Sequence, residues 1–159
     1  MKRVLMLVAM TVLAVAVAAT VRAQSSPIVG TWKLNVTKSK YDPGPTPKSL
    51  TRTVVADGDS FKYTFEGVSG EGKPIAYGFT VKFDGKDVPI TGSMASGADT
   101  ISGKRINADH YEATLKKGGK AIGSSKVTVS KDGKVTTVES EGTTASGAKE
   151  HDVQVYDKQ

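Results

Sequence analysis

The 159-residue chain has no cysteine, which removes both a disulfide framework and a thiolate metal site. Histidine is nearly as scarce: His110 and His151 stand 41 positions apart, without the His-x-x-x-His or Glu-x-x-His spacing of a zinc centre. No Gly-x-Ser-x-Gly elbow occurs, and the Gly-rich stretch from Gly67 to Gly72 lacks the residue order of a phosphate-binding loop. Glu139 and Glu141 sit two apart on one strand face, a surface pair in a lysine-balanced sheet rather than a hydrolytic dyad. The chain therefore reads as non-enzymatic, with no cofactor and no metal. Beyond residue 23, arginine is confined to Arg52 and Arg105. Lysine is dispersed among turns beside acidic residues, which excludes a nucleic-acid surface.

Large apolar residues are also few. After residue 23, Val, Ile, Leu, Phe and Met supply 27 of 136 residues, whereas Ser plus Thr supply 29 and Gly 17. A core this lean must come from regular patterning, since neither composition nor cross-links hold the chain together.

The first 23 residues stand apart. Lys2 and Arg3 precede a charge-free run from Val4 to Val21, and Val21-Arg22-Ala23 completes the order of a secretory signal cleaved before Gln24. The expectation is a single domain over 24–159, periplasmic or secreted and free of stable membrane insertion. A product mass starting at Gln24 would bear this out, and an uncleaved, membrane-held chain would exclude it. Without the segment, 19 Lys+Arg face 16 Asp+Glu, a balance of +3.

Alternation at period two dominates the remainder, and no window holds a helical stripe. Val29–Val36 reads as a first strand with Trp32, Leu34 and Val36 on one face. Residues 38–48, with Pro43, Pro45 and Pro47, read as a rigid irregular crossing. Leu50–Ala56 resumes the ladder. Phe61, Tyr63 and Phe65, then Ile75, Tyr77, Phe79, Val81 and Phe83, alternate with smaller or polar residues and give two adjacent strands one aromatic face. Residues 86–92 form a short strand in which Pro89 implies an edge, a bulge or a break. Strands over 99–106, 111–117, 122–130, 135–142 and 152–156 complete the series. Gly72-Lys73, Asp84-Gly85-Lys86, Gly118-Gly119-Lys120 and Asp132-Gly133-Lys134 read as four hairpin turns of a meander.

Such a meander closes most simply into an all-β, up-and-down antiparallel barrel of about 8–10 strands. A sandwich is the alternative. The outward residues are polar, which excludes an outer-membrane barrel. If Leu50, Val54 and Ala56 face inward, Arg52 does too, and a guanidinium in a lumen must be paired or wet. Arg105, in phase with Ile101 and Gly103, is a second inward candidate.

Gly30-Thr31-Trp32 resembles the Gly-x-Trp that opens the first strand of lipocalins. That resemblance implies a calycin-like barrel whose floor is closed by Trp32, with Gly30 and Trp32 structural and an arginine packed across the ring. Trp32-Lys33-Leu34-Asn35 and Lys38-Ser39-Lys40-Tyr41-Asp42-Pro43-Gly44-Pro45 are similar to a group of small exported bacterial lipocalin-like proteins. The strand rhythm is closer to the intracellular fatty-acid carriers, but no two-helix lid is encoded. The functional expectation is a barrel that binds a small apolar or amphipathic ligand, an anionic lipid or fatty acid. Its site residues would be Arg52, Phe61, Tyr63, Phe65, Tyr77, Phe79 and Arg105. The alternative is a barrel with a filled interior, serving a structural or protein-interaction role.

Overall fold

The computed structural model describes residues 26–144 and 146–159. The expected signal segment lies outside the described residues. Eleven strands appear among those described: β1 (Gly30–Leu34), β2 (Ser49–Asp57), β3 (Ser60–Val68), β4 (Pro74–Val81), β5 (Asp84–Pro89), β6 (Thr91–Ser93), β7 (Thr100–Arg105), β8 (His110–Lys117), β9 (Lys120–Val129), β10 (Val135–Thr143) and β11 (Lys149–Lys158). They form one antiparallel sheet in the order β5-β7-β8-β9-β10-β11-β1-β2-β3-β4-β6. β1 lies between β2 and β11, so the first and last described strands are neighbours in the middle of the sheet.

This is the expected up-and-down barrel with one difference, a seam. The sheet begins at β5 and ends at β6, and no ladder joins those edges. Asp84-Gly85-Lys86 is accordingly not a hairpin. The chain leaves β4, turns at Phe83 and enters β5, which pairs with β7 instead of β4. The stretch expected to form one short strand is divided by Ile90, its second half pairing back to β4 as β6. That division raises the strand count above ten. Edges that closure would have removed are instead blunted: β5 carries Pro89 and a register shift between Asp84 and Asp87, and β6 is only three residues long. The other three Gly turns join paired neighbours.

Phe83 has φ 59°, a left-handed conformation rare for a bulky residue. It turns the ring toward Phe61, Tyr63 and Tyr111, at centroid distances of 5.2, 6.4 and 4.9 Å. Gly103 on β7 makes room, because a Cβ there would stand 2.9 Å from Phe83 Cδ1. Side-chain packing of Phe83 and Val81 against β7 thus bridges the seam where backbone pairing is absent.

The core gathers at the floor of the barrel, from Ile28, Trp32, Val54, Val129 and Tyr156, each about 1% exposed or less. Val36 does not join it. β1 stops at Leu34, and Val36 is 41% exposed in the segment that follows. Ala56, at the far end of β2, is exposed as well.

Residues 35–48 cross the open end as a strap, as the three prolines suggest. Lys40 bridges Val153 of β11, and the His151 N–H donates to the Asp42 carbonyl at 2.7 Å. On the opposite side the Lys48 N–H donates to the Val68 carbonyl at 2.9 Å. Pro45 lies so close to Gly70 that a Cβ there would fall 2.5 Å from the proline ring. The strap is therefore tied both to β11 and to the β3–β4 turn.

Candidate functional site

Between floor and strap lies a cavity of about 890 Å³, within the range of small-molecule sites. Period two along β3 and β4 places Tyr63, Phe65, Tyr77 and Phe79 on its wall. Cross-strand register pairs Phe65 with Tyr77 and Tyr63 with Phe79, and the rings stack at 4.4 and 4.8 Å. Phe61 occupies the same face but does not line the cavity. It sits at the floor end of β3, paired with Val81 and packed on Phe83, where it fills space rather than bordering it.

Arg52 is inward, as its phase required, and only 3% exposed. It stands directly across from Trp32 in the β1–β2 register. Its guanidinium lies 5.4 Å from the Trp32 ring centre and 4.7 Å from that of Tyr156. Such contacts partly compensate a buried cation. They do not satisfy its N–H groups: Nε and Nη2 are buried without a hydrogen-bond partner, and no carboxylate among the described residues pairs with the side chain. Desolvation holds its pKa below the ordinary arginine value, while Tyr156, Tyr63 and Tyr77 act in the opposite direction. Burial raises the pKa of each neighbouring tyrosine, that of Tyr156 to about 12, so these phenols stay neutral.

Arg105 does not share this setting. β7 ends at that residue, beyond the last inward position, and the exposed side chain folds over the floor. Nε donates to Asn107 O at 2.9 Å and Nη2 to Ala108 O at 3.2 Å, and the guanidinium lies 5.6 Å from the Tyr111 ring centre. It is absent from the cavity lining. Period two assigns a face only while the strand continues, and here it stops.

Trp32 is fully buried, and its Nε1–H donates to Ile28 O at 2.9 Å. Gly30 has φ 140°, and Lys158 passes so near that a Cβ at Gly30 would lie 2.7 Å from its Cε. Lys158 Nζ then rests 5.0 Å from the Trp32 ring centre. Two cations from the strands flanking β1 therefore pack on one indole. The signal for Lys158 in the sequence is its period-two step from Tyr156 on β11.

The opposite end of the cavity is acidic. Glu150, Asp152, Gln154 and Tyr156 occupy successive inward positions of β11 and all line it. Asp152 is 4% exposed, and its Oδ1 accepts from the Asp42 N–H of the strap at 3.1 Å. Desolvation, reinforced by Glu150 and opposed by the Asp42 hydrogen bond and by His151, pushes its pKa up to about 6. Tyr41, carried by the strap, has a buried Oη without a partner, and burial holds its pKa far above the usual phenol value. The sequence pointed to none of Tyr41, Glu150, Asp152, Gln154 or Tyr156. Lys73 and Glu71, also at this end, neutralise each other at 2.9 Å.

His110 and His151 are both exposed. Among the described residues no three His, Asp or Glu side chains converge as metal ligands.

Neither protein-family models nor the curated proteins include a match to this chain. Among solved structures, the zebrafish ileal bile acid-binding protein, crystallised with cholic acid, aligns with a TM-score of 0.52 at 17% identity. The alignment covers 84% of this chain and 100% of the other. The fold is calycin-like. At that identity the likeness concerns the fold alone, a nearly closed antiparallel barrel.

Proposed function

We propose that this barrel binds a small amphipathic molecule whose anionic head meets Arg52 and whose apolar body lies along Tyr63, Phe65, Tyr77 and Phe79. The observation that carries the reading is the guanidinium itself: buried, unpaired, and bordering a cavity large enough for a ligand. A buried cation without a counter-ion costs several kcal/mol, and a sequence that keeps one gains a strong, directional site for a carboxylate. The binding of cholic acid by the zebrafish structural neighbour accords with this class of ligand. A filled barrel serving only as an interaction module would leave Arg52 the packing on Trp32 and Tyr156 alone, with its Nε and Nη2 unsatisfied. With the export expected from Lys2 to Ala23, binding would take place in the periplasm or outside the cell.

Calorimetry with dodecanoate and its methyl ester tests the reading. One saturable site should favour the acid, and Arg52→Gln should weaken the acid by about 1.5–3 kcal/mol, the contribution of hydrogen bonds to charged groups, with little effect on the ester. Equal losses for both compounds would make Arg52 a structural residue. No saturable binding of either would remove the reading.

A further inference from the structure

The cavity is polar at both ends, and the ends carry opposite charge. At the floor, Arg52 lies over the ring of Tyr156. Along β11, Asp152 is four residues from Tyr156 and Glu150 six, so at 3.3 Å per residue the acidic end stands about 13–20 Å from the cationic one. Glu150 and Asp152 stand two residues apart on β11, so both project from the same face of the strand into the cavity. No Lys, Arg or His among the described residues forms an ion pair with either. The Asp42 N–H satisfies a single oxygen of Asp152, and Tyr41 Oη hangs from the strap without a partner.

An ordinary fatty acid fits this arrangement poorly. With its head at Arg52, the methyl end would abut two carboxyl groups and a phenol, which is an unfavourable way to desolvate polar atoms. We propose that the ligand is a dipolar amphiphile, with a carboxylate at Arg52 and a primary ammonium at Glu150 and Asp152, joined by an apolar chain along the aromatic wall. This rests on the reading of Arg52 as the anion site and adds the chemistry of the second end. Each terminus of such a molecule meets unpaired protein charge of the opposite sign. Three N–H donors on an ammonium suit two neighbouring carboxyl groups and the Tyr41 hydroxyl.

The test compares dodecanoate, dodecylamine and ω-aminododecanoic acid by calorimetry at neutral pH, on the wild type, Glu150→Gln, Asp152→Asn and Arg52→Gln. Asn at 152 keeps an oxygen to accept from the Asp42 N–H, so the strap retains its tie. The amino acid should bind the wild type at least tenfold more tightly than dodecanoate. Glu150→Gln and Asp152→Asn should each collapse that ratio toward one, whereas Arg52→Gln should weaken both acids and preserve it. An amino acid no tighter than dodecanoate, or a ratio untouched by both acidic-end variants, overturns the proposal. Dodecylamine separates the two readings. If it binds and loses tenfold in Asp152→Asn while dodecanoate fails to bind, the ammonium end stands and the Arg52 site falls. If neither it nor the amino acid binds, the ammonium end falls whatever dodecanoate does.

Discussion

The Phe83 ring edge lies 2.9 Å from where a Cβ on Gly103 would stand. These two residues meet across the seam, where the described strands form no ladder. Phe83 adopts φ 59° there, and the ring reaches Tyr111 on the far side of the seam. The barrel wall is thus continuous in side chains where it is broken in hydrogen bonds.

Gly103→Ala should therefore destabilise the protein by about 1–3 kcal/mol, the usual cost of overpacking a site that cannot relax freely. Urea denaturation with an unchanged m-value would measure it. A shift below about 0.5 kcal/mol would show that the Phe83 ring moves aside and that the seam is loosely packed.

Arg52 offers a contrast between stability and binding. Replacing a buried ionic group with an apolar side chain of similar volume is often neutral or stabilising, by about 1–4 kcal/mol, although two ring contacts are lost with the charge. Ligand-free Arg52→Met should be at least as stable as the wild type in thermal unfolding, while its acid-over-ester preference disappears. A loss above about 1 kcal/mol would instead assign Arg52 to holding Trp32 and Tyr156 in place.

Asp152 makes stability depend on pH. Its folded pKa, about 6, exceeds its unfolded value near 3.8, so the folded chain binds more protons between those values. Stability from this group falls as pH rises through the window and is lowest above about 6. Asp152→Asn should therefore be more stable than the wild type at pH 7, with the gap closing by pH 4. Paired thermal scans at the two pH values would show it. A gap that does not change with pH would mean that Asp152 is not desolvated.

Alternation alone fixed which faces of β2, β3 and β4 point inward, because Cβ direction reverses at every residue of a strand and needs no knowledge of the neighbours. Arg52, Tyr63, Phe65, Tyr77 and Phe79 were legible for that reason, and the three prolines of 38–48 were legible as a crossing because they fix φ locally. Where a strand ends is a cooperative property of its partners. Hence Val36 and Arg105 fall outside the barrel although both keep the right phase, and Phe61 fills the floor rather than lining the cavity. The seam was hidden for the same reason: Asp84-Gly85-Lys86 has the composition of a hairpin, and only competition for partners sends β5 to β7 and β6 to β4. The charge of the cavity was decided last of all. Nothing in the spacing of Glu150 and Asp152 marks them, and it is the pairing of β11 with β1 and β10 that places them on the lining of the same cavity as Arg52.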